Sequence, residues 1–294
     1  MGNIRFFICS NPDTLKECLE GNPSATVEAE YGNRVVEGSL LTLAHHGLRS
    51  NNPAPCLAEN GCGQGVDLVG LSHFDLDTLG GCMAILGNKS EADGFWNLAA
   101  FVDVNGAHKL GQSKASVEDV VRLYAFWAWS KDHRLFAPRG GAVLDVTTEI
   151  KAAAAAIMAI LNGDHDLIEA GMEFQGEETH LNSSSFVELV DGVVVRIVRN
   201  QTDFVNHLYV TPDGQVAQAV VSLNLGHGGC TISLADPVEG VSCREIVQSV
   251  WTDTDDDGNL LAGGHDGIAG SPRGQRLGLD DLVAVRDVMV KALT

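Results

Sequence analysis

Long apolar runs and positive charge are the two features that this sequence has least of. No apolar run approaches the length of about eighteen residues that a membrane-spanning helix needs, and the amino end has no signal-peptide pattern. We therefore expect a cytoplasmic protein without a membrane partner. Lys and Arg total 19 against 39 Asp and Glu, a net charge of −20. Such a chain lacks the broad basic surface that long nucleic acid requires, but a metal ion and a few local cations could still hold a small phosphorylated ligand.

The cysteines lack any spacing typical of a structural metal site. Seven Cys residues are scattered along the chain, and several lie in apolar strand-like runs. This distribution suits buried free thiols in a reducing compartment, with Cys56 and Cys62 as the one pair that could form a bridge.

The length and the hydrophobic pattern predict two domains. The 294 residues, 45% of them hydrophobic, suffice for two ordinary cores. Residues 1–175 alternate apolar strands with helices, which is typical of α/β folds with a parallel sheet. Residues 185–294 begin with a hairpin signal, Asp191-Gly192, and favour a smaller α+β domain with a mixed or antiparallel sheet. The polar stretch from 175 to 185 is interpreted as a linker.

Three potential metal ligands stand at alternate positions after a buried strand. They are His73, Asp75 and Asp77, followed by the start of a helix. Open α/β sheets bind ligands in loops at the carboxyl ends of their strands. Crowded carboxylates and an imidazole there would suit a hard cation such as Mn²⁺ or Mg²⁺. The alternative is a polar strand-to-helix turn with Asp77 as the N-cap.

Two other apolar runs end in residues of the same kind. His45 and His46 follow an apolar strand that ends at Ala44, and a second run, read as a strand from Phe95, ends in Asp103. The two histidines could also lie in an exposed polar loop. For four other residues the sequence does not decide between a ligand or catalytic role and a structural role: His108, Asp132, His133 and Asp145. The aromatic stripe of the helix that contains Tyr124 and Trp127 is interpreted as core.

These motifs resemble those of the DHH phosphoesterase superfamily. His-x-Asp-x-Asp-x-x-Gly from His73 resembles its first motif, and His45-His46 resembles its Asp-His-His motif. Ala44 replaces the Asp of that second motif, and the two motifs occur in reversed order, as a circularly permuted sheet would give. The superfamily includes single-strand exonucleases, oligoribonucleases, cyclic-dinucleotide phosphodiesterases and family II pyrophosphatases.

The resemblance extends to a glycine-rich loop in the second half. Gly263-Gly264-His265, followed by Ala269-Gly270, is similar to the phosphate-binding loop of the domain that accompanies DHH domains. The resemblance implies that this loop binds substrate, and Arg273 would supply a further positive group. His227, in Gly226-His227-Gly228-Gly229, could form a second wall. The alternative is a glycine-rich turn without a ligand.

The resemblance implies a two-metal centre and assigns its residues. Metal ligands would be His45, His73, Asp75, Asp77 and Asp103. His46 would face the substrate phosphate, and Asp77 or Asp103 would be shared by two Mn²⁺ or Mg²⁺ ions that activate a water.

We therefore predict a metal-dependent phosphoesterase. Its substrate would be a small phosphorylated molecule: a short oligonucleotide, a dinucleotide, a nucleoside bisphosphate or a polyphosphate. The alternative, motivated by Ala44, is a degenerate relative that binds a nucleotide without hydrolysing it. The sequence leaves the oligomeric state open, a homodimer being one option.

An acidic segment later in the chain resembles the start of a calcium loop. It contains Asp253, Asp255 and Asp257, but its twelfth position, where an EF-hand needs Glu, is Gly264. We interpret it as a solvated acidic loop.

Overall fold

The chain divides into two compact units in the computed structural model. The first unit comprises Met1–Val104 and Ser113–Gln175, and the second comprises Asn105–Gln112 and Gly176–Thr294. The structure describes residues 4–31, 34–46, 49–138, 141–198, 209–211, 215–254, 258, 260–272 and 274–294.

The first unit is built on a mostly parallel sheet. Its strands are β1 (Arg5–Ile8) and β2 (Ser24–Val27), followed after a short antiparallel pair, β3 (Glu30–Tyr31) and β4 (Arg34–Val35), by β5 (Leu41–Leu43), β6 (Leu68–Leu71) and β7 (Leu144–Asp145). The sheet order is β5-β2-β6-β1-β7, and only β7 is antiparallel to its neighbour among these strands. The predicted α/β class is confirmed. The carboxyl ends of β5, β2 and β6 therefore lie side by side.

Helices follow these strands along the chain. They are α1 (Pro12–Leu19), α2 (Leu76–Leu86), α3 (Asp93–Asn105), α4 (Val117–Asp132), α5 (Thr147–Leu161) and α6 (His165–Ser184). Side-chain caps define several of their starts. The Asn11 carboxamide oxygen accepts from the amides of Asp13 and Thr14, and the Ser116 hydroxyl accepts from the Asp119 amide.

The segment from Phe95 to Asp103 is helical, so the prediction of a strand there was wrong. A continuous apolar run does not distinguish a buried strand from a buried helix. Phe95, Trp96 and Leu98 are all buried along this helix, which has apolar residues on more than one face. Asp103 thus lies in the last turns of α3 and not at the end of a strand.

The polar stretch expected to be a linker is also helical. Helix α6 continues from His165 to Ser184, through the point at which the first unit ends at Gln175. Polarity alone does not argue against a helix, because straight-chain polar residues such as Glu and Gln have good helix propensity.

The second unit contains a mixed sheet. Its strands are β8 (Phe186–Val190), β9 (Val193–Val198), β10 (Ala219–Asn224), β11 (Cys230–Leu234), β12 (Gly263–Gly264) and β13 (Ile268–Gly270). The order is β12-β13-β11-β10-β9-β8, with β9 and β10 parallel and the other neighbours antiparallel. The predicted hairpin is present, because Asp191 and Gly192 both adopt the positive φ that its turn requires.

Two helices cover this second sheet. They are α7 (Cys243–Val250) and α8 (Leu279–Leu293). Val221 and Ile232 of the sheet share one buried cluster with Val247 of α7 and Val285 of α8. None of the helices in the described ranges has the length and hydropathy of a membrane span.

All seven cysteines are free. Cys56 is buried and Cys62 half-buried, and no bridge joins them.

Candidate metal centre

Glu28 is the residue that sequence reasoning missed, and it stands at the centre of the site. It directly follows β2, with a φ of 47° that only a few per cent of residues other than glycine adopt. Its backbone is bonded on both sides: its amide donates to the Leu43 carbonyl over 2.9 Å, and its carbonyl accepts from the Ser72 hydroxyl. These hydrogen bonds, to the last residue of β5 and the first residue after β6, direct the Glu28 carboxylate toward the carboxyl ends of the strands.

His45 and His46 follow β5 and meet this carboxylate. The His45 amide donates to Glu28 Oε1 over 3.1 Å. His46 Nε2 lies 3.1 Å from Glu28 Oε2, and the two imidazole rings lie 4.3 Å apart. The His45 side chain is 5% exposed while that of His46 is 45% exposed, so only His46 faces solvent substantially.

Two carboxylates reach His45 from helices. Asp77 lies in the first turn of α2, and its Oδ2 is 3.4 Å from His45 Nε2. Its other oxygen accepts from the Cys56 amide over 3.0 Å, which fixes the orientation of the carboxylate. Asp103 Oδ2 on α3 is 2.8 Å from His45 Nε2 and 3.4 Å from His46 Nε2.

These contacts form two overlapping sets of potential ligands. One comprises Glu28, His45 and His46, and the other comprises His45, Asp77 and Asp103. Within each set, one ligand atom from every residue lies within 4.8 Å of the others. The prediction placed His45, Asp77 and Asp103 in one centre, and the structure brings these three together.

The converging atoms are buried and make no hydrogen bond in the part of the chain that is described. They are Glu28 Oε2, His45 Nε2, Asp77 Oδ2 and Asp103 Oδ2. Buried polar atoms in folded proteins are nearly always satisfied, and an unsatisfied group costs about 1–3 kcal/mol or more. Four such atoms directed at one another, three carboxylate oxygens and one imidazole nitrogen, fit a bound divalent cation.

The electrostatics of the site agree with this reading. The pKa of Glu28 is raised to about 7, chiefly by burial; the Asp77 carboxylate adds to the rise, and His46, His73 and the His45 amide oppose it. Burial also raises the pKa of Asp77, with Asp103 and Asp75 adding to the rise and the hydrogen bond from Cys56 opposing it. Burial thus outweighs the neighbouring groups that favour the ionised form of each carboxyl.

His73 and Asp75 form a pair beside this centre and lie outside the two ligand sets. His73 Nε2 is 3.1 Å from Asp75 Oδ2, and His73 Nδ1 is 2.8 Å from the Ser72 hydroxyl oxygen. Burial lowers the pKa of His73, but Asp75, with Glu28 and Asp103 further away, raises it overall. The other Asp75 oxygen accepts from the Thr78 amide over 2.8 Å. Asp75 is therefore the N-cap of α2, and the alternative that gave this role to Asp77 was wrong.

The remaining candidates of the first half have structural partners. Asp145 is paired with Arg5 at 2.7 Å and accepts from Thr147. The His133 ring is stacked on Trp129 with centroids 4.2 Å apart, at the end of α4. His108 lies in the second unit, where its Nε2 donates to the Ala235 carbonyl over 3.1 Å.

The glycine-rich segment of the second unit is a tight hairpin. Gly263 and Gly264 form β12, and the His265 amide donates to the Ile268 carbonyl over 2.7 Å. A Cβ on Gly264 would lie 2.4 Å from the Ile268 carbonyl oxygen, so glycine is required there. The His265 side chain is exposed. Arg273 lies outside the described residues.

The second glycine-rich loop is closed by its own histidine. His227 Nδ1 accepts from the Gly229 amide over 3.0 Å, which leaves Nε2 as the protonated nitrogen of the neutral ring. The acidic segment is described only in part: Asp253 accepts from Gln275 over 2.6 Å, whereas Asp255 and Asp257 lie outside the described residues.

Comparison with known proteins adds no family. No family model and no curated protein matches the chain. Among solved structures, the chain is similar to the crystal structure of an uncharacterized protein from Helicobacter pylori G27, at 12% sequence identity and a TM-score of 0.21, over 95% of this chain and 86% of that one.

Proposed function

We propose that the protein is a metal-dependent phosphoesterase that hydrolyses a small phosphorylated substrate. One observation carries the proposal: four buried, unbonded ligand atoms converge at the ends of parallel strands. The DHH resemblance of His45-His46 and of the segment from His73 to Gly80 adds the reaction class.

The ligand sets favour two ions with a shared carboxylate. One imidazole nitrogen binds one ion, so His45 Nε2 cannot serve both sets at once. Asp103 would be the shared carboxylate, because its Oδ2 lies within 3.4 Å of Nε2 of both histidines. We assign His45, Asp77 and Asp103 with Glu28 as the core ligands. His73 and Asp75 would complete the site from its edge.

The ions and the side chains would contribute differently to the reaction. Divalent cations at such a centre supply Lewis acidity and lower the pKa of water to near neutrality. His46, whose side chain is 45% exposed, would donate to a substrate phosphoryl oxygen. Asp77 and Asp103, whose Oδ2 atoms lie 3.4 Å and 2.8 Å from His45 Nε2, would bind the same ion as that nitrogen. The His265 loop and Arg273 would bind substrate phosphate.

The second candidate is a protein that binds a nucleotide without hydrolysing it. The observation behind it is Ala44, which stands where the DHH motif has a carboxylate. Glu28 contacts His45 and His46 in the folded chain and offers a carboxylate to both. This contact favours the phosphoesterase over the protein that binds without hydrolysis.

The test combines metal binding with turnover. We expect calorimetry to give two Mn²⁺ per chain, and bis(p-nitrophenyl) phosphate to be hydrolysed only with Mn²⁺ or Mg²⁺. Asp103→Asn should lose both properties. Asp132→Asn is the matched control, because Asp132 is exposed at the end of α4.

The outcomes separate the candidates. Metal binding without turnover of any phosphoester would favour the non-hydrolysing candidate. Equal Mn²⁺ binding by Asp103→Asn and wild type would contradict the site.

A further inference from the structure

A pocket of about 340 Å³ adjoins the metal centre within the first unit. Asp75, Asp77 and Asp103 line one part of it. The remaining wall is mostly apolar and aromatic, with the rings of Phe126, Trp127 and Phe136, and its polar members are Ser130, His133 and Arg134. The pocket therefore joins the candidate ligands of a cation to a wall that is mostly apolar and aromatic.

The aromatic wall is held in place by its own packing. Phe126 is 4% exposed, and Trp127 packs edge-on against Tyr124 with ring centroids 5.0 Å apart. The aromatic stripe of α4 is thus only partly core, because Trp127 lines a pocket. Phe136 also lines the pocket but is 75% exposed, the largest exposed fraction of any phenylalanine in the described chain. A large apolar side chain that is left exposed beside a cavity is typical of a ligand-binding surface.

We propose that this pocket binds a flat aromatic group carried by the substrate, with the phosphoryl group at the carboxylate end. The proposal rests on the proposed function and narrows its substrate class. A volume near the low end of the usual range for ligand pockets, about 300–1,000 Å³, suits one ring system and not two. Aromatic walls favour flat rings through offset-stacked or edge-to-face contacts. The substrate is therefore an aryl or heteroaryl phosphoester of about mononucleoside size, and not an inorganic polyphosphate.

The test compares two phosphonates that cannot be hydrolysed at phosphorus. Phenylphosphonate and methylphosphonate present the same anion and differ in the ring. With Mn²⁺ present, calorimetry should show phenylphosphonate binding about 10- to 100-fold more tightly, the factor expected for burying a phenyl-sized group. Phe136→Ala and Trp127→Leu should each reduce this ratio at least about threefold. Phe186→Ala is the matched control, since Phe186 is an exposed phenylalanine on β8 and should leave the ratio unchanged.

A neutral probe separates this inference from the function on which it rests. In metal-free protein, benzyl alcohol should give a saturation-transfer NMR signal that Phe136→Ala weakens. Equal binding of the two phosphonates would overturn the aromatic pocket and leave the phosphoesterase proposal standing. Loss of binding by both phosphonates, with the benzyl alcohol signal retained, would overturn the phosphoesterase proposal and support the pocket. If phenylphosphonate, methylphosphonate and benzyl alcohol all fail to bind, both the aromatic pocket and the phosphoesterase proposal are overturned.

Discussion

The Nε2 atom of His45 lies 2.8 Å from Oδ2 of Asp103, although one residue follows a strand and the other lies near the end of a helix. Both atoms are buried and make no hydrogen bond to a described residue. This approach depends on α3, which brings a carboxylate to the edge where β5 and β2 end. The site is therefore assembled from two kinds of element.

Asp75 caps helix α2 and is also a candidate metal ligand, and two substitutions should distinguish these roles. Asp75→Ala removes the acceptor for the Thr78 amide, so we expect a loss of about 1 kcal/mol of stability. Asp75→Asn keeps a capping oxygen and should retain the wild-type melting temperature. If Asp75 is also a metal ligand, both variants should bind Mn²⁺ more weakly. Unchanged Mn²⁺ affinity in both would limit Asp75 to the cap.

Glu28 should make the stability of the metal-free protein depend on pH. Its pKa is about 7 in the folded chain against an ordinary 4.5, so the folded state holds an extra proton between these values. The free energy of unfolding should therefore fall as pH rises from 4.5 to about 7 and then level off.

Glu28→Gln cannot titrate and should remove the part of this pH dependence that comes from Glu28. With EDTA present, we expect the variant to be more stable than wild type at pH 8, on the order of 1–3 kcal/mol, and similar at about pH 4. Thermal unfolding across this range measures the difference. A wild-type advantage at pH 8 in EDTA would contradict the prediction.

Gly80 keeps the Asp77 carboxylate in position from within α2. A Cβ there would lie 2.4 Å from the Cβ of Cys56, whose amide donates to Asp77. Gly80→Ala should therefore displace Cys56, destabilise the fold by about 1–3 kcal/mol and weaken Mn²⁺ binding. Gly176→Ala is the matched control, because Gly176 lies in α6 with nothing within 4 Å of an added Cβ. The control should be slightly stabilising.

His265 tests whether the second unit takes part in the reaction. If it binds substrate phosphate as the resemblance implies, His265→Ala should bind Mn²⁺ normally while kcat/KM falls roughly 10- to 150-fold, equivalent to about 1.5–3 kcal/mol. Gly264→Val should instead disrupt the hairpin, because its side chain would meet the Ile268 carbonyl. Wild-type kinetics of His265→Ala on a short phosphodiester would limit this loop to a structural turn.

The sequence predicted elements whose signals are local. The Asp191-Gly192 signal predicted the β8–β9 hairpin, which is present. The strand-end rule also placed His45 and Asp77 together, because it depends on sheet topology and not on side-chain detail.

The errors arose where the pattern was ambiguous or the backbone unusual. The apolar run before Asp103 suits a buried strand as well as a buried helix. Glu28 directly follows β2, but the apolar Ala29 after it hides the end of that strand in the sequence. Nothing in the residue type indicates that Glu28 adopts a positive φ.

That conformation of Glu28 has a consequence for how the site would bind an ion. Left-handed backbone at a residue other than glycine and a buried carboxylate are both unfavourable, so the surrounding strands must impose them. The packing of the chain around Glu28 thus holds the ligands in their arrangement. A cation would meet preorganised donors and would stabilise the folded state by mass action. Metal binding and unfolding would then be linked. The metal-free protein would unfold more readily, so it would be the more easily degraded form in a cell.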